Sequence, residues 1–295
     1  MSHAYHPLKA ALWMSGAIAS FTGMAIAARA INGVHDSFEI MAARSVIGLG
    51  IVLVAGALTG QLHRISTARL SGHALRNVVH FTAQNLWFWA LTLIPLAQVF
   101  ALEFTAPVWV ILLSPLVLGE KLTLPKLMAA ILGFVGILIV ARPDLSNLNP
   151  GVLAAAGAAL GFATTSILTK RLTRGEAIIG ILFWLTVFQG LFGLVMASYD
   201  GQVNWPTAQT LPWLVLIGFC GVLAHFSLTS ALSLAPASFV MPIDFLRLPL
   251  IAVIAALVYA EPLDPYVLGG GAVIFTGLWF SVRAELRAKI HTAVS

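Results

Sequence analysis

The segment Ala90-Leu91-Thr92-Leu93-Ile94-Pro95 returns 141 positions later as Ala231-Leu232-Ser233-Leu234-Ala235-Pro236. Toward the N-terminus the same offset pairs Gly16, Ser20 and Phe21 with Gly157, Gly161 and Phe162. Farther along it pairs Glu103 and Phe104 with Asp244 and Phe245, Glu120 with Glu261, Leu122 with Leu263, Phe134 with Phe275, and Gly136 with Gly277. A single ungapped register over most of the chain is an internal repeat, beyond what shared apolar composition produces.

The repeated unit is made of membrane spans. Of the 295 residues 59% are hydrophobic and 9% charged, whereas about a quarter of a soluble domain is charged, so the composition excludes a water-solvated globule. Breaks at Pro, Gly and charge clusters predict ten helices near 9–29, 37–59, 75–93, 96–118, 125–141, 151–170, 178–198, 211–233, 236–259 and 265–282. Lys9, the apolar run after it and Ala25-Ile26-Ala27 resemble a cleavable signal peptide. The repeat argues against that reading, because it needs the first helix as the partner of the sixth. The single cysteine, Cys220, excludes an intrachain disulfide.

Basic residues predict the orientation. Lys9, Arg64, Arg69, Arg76, Lys121, Lys126, Lys170, Arg171, Arg174, Arg283, Arg287 and Lys289 fall on one side of the ten-span layout, and only Arg29 and Arg142 on the other. Lys and Arg are retained on the cytoplasmic side, so both termini are expected there, in an inner (plasma) membrane. The net charge of +5 has the same origin, and no basic patch interleaved with aromatics points to nucleic acid. Residues 1–149 and 150–295 then form two five-helix repeats. An odd helix number makes the halves cross in opposite senses. The expected fold is an all-α polytopic membrane protein of ten transmembrane helices in two inverted repeats.

Pro115-Leu116-Val117-Leu118-Gly119-Glu120-Lys121-Leu122-Thr123, followed by Gly133-Phe134-Val135-Gly136-Ile137-Leu138-Ile139-Val140, resembles the end of the repeat in EamA-type members of the drug/metabolite transporter superfamily. Ala260-Glu261-Pro262-Leu263 and Gly277 form the weaker second copy. The resemblance implies a secondary transporter, often an exporter of amino acids or related metabolites. It also implies a central cavity lined mainly by the first, third, fourth, sixth, eighth and ninth helices. Glu103 and Asp244 depart from the apolar or small residues usual at those positions, so no family role passes to them.

Ionisable side chains deep in a span face a cavity or a partner. Glu103 and Asp244 lie eight residues into the fourth and ninth helices, about 12 Å from the helix end at 1.5 Å per residue. Such a pair suits gates or alternating proton sites, or else structural salt bridges. Arg247 lies three residues after Asp244 on the same face, while Glu103 has no local base and must find Arg44, His80 or another helix. His80, Gln84 and Trp87 or Phe88 share one face of the third helix, a combination that suits a zwitterion or aromatic metabolite or, for the histidine, a bond to a neighbouring helix. His225 repeats the Gln84 position, and Phe21 and Phe162 are a further repeated pair of candidate lining residues. Arg44 is expected to pair with Glu39 or to snorkel, and Lys170 to mark topology. Pro107, Pro242 and Pro249 are hinges or static kinks.

The function these residues predict is transport by alternating access, with amino acids, aromatic ones included, as exported solute. Nucleobases, cationic drugs or a vitamin are the alternatives, and protons are a possible coupling ion. GxxxxGK[ST], HExxH and GxSxG are all absent, so no catalytic residue, metal or cofactor is expected and an intramembrane enzyme is the weaker reading.

Overall fold

In lipid a chain must satisfy its backbone polar groups internally, and a sequence this apolar meets that demand with helices. The structure, a computed structural model, describes residues 6–31, 34–94, 96–141, 149–199, 204–259 and 265–294. Among them are helices α1 (Pro7–Ala30), α2 (Ser37–Leu58), α3 (Leu70–Leu93), α4 (Leu96–Glu103), α5 (Ala106–Leu118) and α6 (Leu124–Ala141). They continue with α7 (Pro150–Leu172), α8 (Ile178–Ala197), α9 (Leu211–Leu234), α10 (Ala237–Val240), α11 (Arg247–Tyr259) and α12 (Pro265–Val294). Two 3-10 turns, Leu62–Arg64 and Met241–Leu246, complete the described elements, and no strand occurs among them.

Among the described residues eight stretches are long and apolar enough to cross a membrane, and Leu124–Val140 is a shorter apolar helix. The protein is a multi-pass membrane protein. α3 has the length but carries His73, Arg76, Asn77, His80, Gln84 and Asn85 along its course. Its start at Leu70 lies five residues before the predicted one, which carries Arg76 from the expected boundary to a fully buried site. Glu261, Pro262, Leu263, Arg142 and Pro95, and the side chains of Arg29 and Lys289, lie outside the described residues.

Local chemistry fixes the helix ends. Asp36 accepts from the backbone N–H of Phe38 and Glu39 while Glu39 accepts from that of Asp36, a capping box that starts α2. Asn149 caps α7 with Pro150 at its first position. α5 stops at Gly119, whose φ of +68° is the left-handed conformation glycine adopts without strain.

The fourth and ninth helices, expected to be continuous, are both broken. Pro107 has no N–H for the Glu103 carbonyl four residues back and its ring crowds that carbonyl, so α4 ends at Glu103 and α5 resumes at Ala106. Pro242 and Pro249 act likewise on the stretch from α10 to α11, which tightens into the turn Met241–Leu246. Phe104 and Phe245, almost wholly buried, anchor the two breaks.

Shifted by 141 residues, the starts of α2, α3, α5 and α6 at Ser37, Leu70, Ala106 and Leu124 fall on Ile178, Leu211, Arg247 and Pro265, each the first residue of a helix. The packing follows the same exchange: α1 lies against α9 and α3 against α7, while α2 pairs with α8 and α6 with α12. Helix association in lipid relies on close packing, which small residues permit. A Cβ on Gly136 would stand 2.6 Å from the Gly270 carbonyl oxygen, so the α6 and α12 backbones meet there. Gly161 of α7 faces Ala83 of α3, and Gly16 of α1 faces Ser227 of α9.

One end of the bundle is tied by charge-assisted hydrogen bonds. Glu120 accepts from the backbone N–H of Ala237 at 2.7 Å and of Ser238 at 3.0 Å, and from the Ser238 hydroxyl at 2.7 Å. Lys170 donates to the carbonyls of Leu232 and Ala235, and Arg174 to that of Leu118 at 2.7 Å. Lys170 is therefore a clasp between α7 and the α9–α10 corner, a structural duty beyond the boundary role expected of it.

Candidate solute site

Both helix breaks deliver a carboxylate to the same guanidinium. Arg247 at the first position of α11 donates through Nη2 to Glu103 Oε1 and to Asp244 Oδ2, each at 2.9 Å. Glu103 Oε2 accepts from Trp87 Nε1 at 2.7 Å. The Asp244–Arg247 pairing is the one its spacing predicts. Glu103, by contrast, finds Arg247 of the other repeat and neither Arg44 nor His80. The guanidinium also lies 5.3 Å from the Phe21 ring centroid and 4.9 Å from that of Phe104, within cation–π range. With both acids ionised the trio carries one net negative charge.

From Phe21 a chain of edge-to-face contacts crosses between the repeats. Phe21 meets His225 at 5.7 Å, His225 meets His80 at 5.4 Å, and His80 meets Phe162 at 6.0 Å between ring centroids. Two repeated positions, Phe21 with Phe162, thus flank two histidines contributed by α9 and α3. On α3, Trp87 touches Phe88 and Phe100 edge-on at 5.3 and 6.0 Å.

Buried polar atoms ordinarily find partners, yet several here have none. Both ring nitrogens of His80, Nδ1 of His225, Oε1 of Gln84, Oδ1 of Asp244 and Nε of Arg247 are buried without a hydrogen bond. They gather around the rings just described, which gives an arriving molecule apolar faces together with unspent donors and acceptors.

Other expected residues sit apart. Glu39 serves the α2 cap, accepts from Asn204 and lies 3.4 Å from His35, leaving Arg44 unpaired by it. Asn85 turns to the Phe81 carbonyl. Pro107, Pro242 and Pro249 are at the helix breaks and line no part of the ring chain. Arg76, Gln189 and Thr186 were not singled out from sequence. A helix start at 75 makes Arg76 a boundary residue, whereas the offset from Leu211 points to the start at Leu70 that buries it.

A cavity of about 20 Å³ adjoins His225 and is also lined by Arg44, Ser45, Thr186, Gln189 and Gly221. A wider open groove of about 660 Å³ between α2, α8 and α9 is walled mainly by apolar side chains such as Ile51, Ile178, Phe219 and Phe226. None of the charged trio lines that groove. Among the described residues no group of three His, Cys, Asp or Glu side chains is arranged to hold a metal ion.

The EamA-like transporter family model matches residues 8–142 and again 149–283. The chain is 30% identical over 293 residues to a riboflavin transporter of Vibrio cholerae, covering 97% of each. It is 32% identical to a riboflavin transporter of Rhizobium johnstonii, covering 74% of this chain and 72% of that one. With an S-adenosylmethionine uptake transporter of Rickettsia conorii it shares 27% identity, covering 85% of each. A crystal structure 18% identical in sequence superposes with a TM-score of 0.80 over 95% of this chain and 98% of that chain, a likeness of fold.

Proposed function

The chain belongs to the EamA-like transporter family, and from that premise we propose that it carries a heteroaromatic metabolite of the vitamin class, riboflavin being the first candidate. The carriage is by alternating access of two inverted five-helix halves, residues 1–149 and 150–295, ten crossings in all, with both termini cytoplasmic in the inner membrane. The observation that carries the reading is the ring chain Phe21–His225–His80–Phe162 beside the Glu103–Arg247–Asp244 trio, with its unspent polar atoms. A flat heterocycle with carbonyls and an imide N–H can lie against such rings while Gln84, the histidines and Asp244 bond its edge. The relatives' names favour this vitamin alternative over amino-acid export.

The symmetric pairing of helices and the shared helix starts support the inverted halves, and the bias of basic residues supports the orientation. α3 completes the ten, with His73, Arg76, Asn77 and His80 buried in the bundle. The breaks at Pro107, Pro242 and Pro249 are the hinges about which the halves rock. Glu103 and Asp244 are the proton sites if transport is coupled to pH; Glu103→Gln and Asp244→Asn that both kept pH-dependent flux would remove them from that role.

A second reading is a sulfonium or other cationic nucleoside derivative, favoured by the trio's net negative charge and by the Rickettsia relative's name. A competition screen in proteoliposomes separates the two. Unlabelled riboflavin, S-adenosylmethionine, nucleobases and aromatic amino acids are each set against labelled riboflavin. Riboflavin is expected to cross faster than through empty vesicles and to compete best. Aromatic amino acids crossing while riboflavin does not would return the assignment to amino-acid transport.

A further inference from the structure

Two guanidiniums face the interior of this protein with no carboxylate among the described residues against them. Arg76 is 2% exposed, and its Nε and Nη1 donate to the neutral acceptors Thr169 Oγ1 at 3.1 Å and Asn77 Oδ1 at 3.0 Å. Arg44 makes no hydrogen bond or ion pair among the described residues. Its stem runs along α9 at Gly221, where a Cβ would stand 3.1 Å from Arg44 Cδ. Every described acid is committed elsewhere. Asp36 and Glu39 cap α2, Glu103 and Asp244 hold Arg247, Glu120 caps α10, Glu176 sits 3.9 Å from His73, and Glu285 pairs with Lys126 at 3.3 Å.

The two positive charges act on each other and on the same neighbours, His80 and His225. The 20 Å³ cavity is lined by one of the two guanidiniums, that of Arg44, together with Thr186, Gln189 and His225. Gln189 is 1% exposed and donates to the Asn77 carbonyl at 3.0 Å, which links the cavity wall to the residue that Arg76 holds. His225 Nδ1 and Gln189 Oε1 are buried there without partners. Like charges that act on each other in a low-dielectric interior are unfavourable until an anion neutralises them.

We infer that this cavity is an anion subsite for a carboxylate or phosphate group. The group belongs either to the carried solute or to a small free anion. The inference rests on the transporter reading for its purpose and narrows its solute: a trio of net negative charge beside Phe21 and two guanidiniums without a described carboxylate near His80 and His225 favour a flavin with an acidic head over riboflavin itself. The cavity has room for about one water-sized group, so it takes one oxygen of the anionic head and leaves the heterocycle to the rings.

The test uses the purified full-length protein in nanodiscs with two flavins that share a heterocycle, riboflavin and riboflavin 5′-phosphate. The phosphorylated flavin is expected to bind at least tenfold more tightly, with the ratio falling to near one in Arg44→Gln. A second arm follows the melting temperature in sodium formate at constant ionic strength, with a rise expected in the native protein and none in Arg44→Gln. A flavin preference assigns the group to the solute, and a formate effect alone assigns it to a free anion. Equal flavin affinities together with no formate effect overturn the subsite. Arg76→Gln breaks bonds to Thr169 and Asn77 and can fail to fold, so Arg44→Gln carries the test. Both arms read binding, so a protein that moves riboflavin yet shows neither effect loses only the subsite. One that responds to formate yet carries no solute loses only the transporter reading.

Discussion

Glu103 and Asp244 occupy the same position in the two copies of the repeat and hold the same guanidinium at the same 2.9 Å, but they are not equally spent. Glu103 gives one oxygen to Arg247 and the other to the Trp87 indole. Asp244 gives one oxygen to Arg247 and leaves Oδ1 buried without a partner. The backbones differ as well: a two-residue interruption at Phe104–Thr105 in the first copy becomes a six-residue 3-10 turn in the second. The repeat supplies two equivalent carboxylates, one with both oxygens tied and the other with one oxygen unpartnered.

Removing Arg247 would break both copies together. Arg247→Ala leaves two buried carboxylates without a base, and deleting one partner of a buried pair costs about 3–5 kcal/mol. Little folded protein is expected from detergent extraction, and Arg247→Lys should restore part of the yield. Separating the carboxylates comes next. Glu103→Ala strands the Trp87 N–H and half of the Arg247 pairing, a loss of about 2–3 kcal/mol for charge-assisted bonds. Asp244→Ala strands less and should melt higher than Glu103→Ala. The reverse order would break the comparison.

How much of this was legible in the sequence depends on whether a feature is local. The offset of 141 residues, read from Ala90–Pro95 and Ala231–Pro236, anticipates which helices share starts. It also marks Glu103, Asp244, His225, Phe21 and Phe162, while helical spacing marks His80, and the structure brings these residues to one place. The late start given to α3 is an error that the offset could have repaired, and it concealed Arg76. Hydropathy alone favours the later start, since His73, Arg76 and Asn77 look like a loop until their partners Thr169 and Gln189 on other helices are known. The helix breaks were only half legible: prolines signal a weak point, but the interruption also depends on Arg247 drawing Glu103 and Asp244 together across the repeats. Contacts between residues 144 positions apart leave no trace in local spacing.

The comparison is sharpened by neutral isosteres. Asp244→Asn should weaken solute binding about tenfold, which is about 1.4 kcal/mol, while the melting temperature stays near that of the native protein. Glu103→Gln should show the opposite balance, a larger melting shift and a smaller affinity change. Titration of riboflavin by quenching of its fluorescence reads both. The smallest effect belongs to Trp87→Phe, which keeps the ring and removes one hydrogen bond to Glu103, about 1 kcal/mol, seen as a lower melting temperature.

Counterflow measures the transporter account most directly. Proteoliposomes preloaded with unlabelled riboflavin are placed in a trace of labelled riboflavin, and uptake is followed beside empty liposomes. The account predicts a transient, saturable accumulation of label that Asp244→Asn diminishes. Label entering no faster than into empty liposomes, with preloaded S-adenosylmethionine, nucleobases and aromatic amino acids, each with its own label, equally without effect, would contradict it.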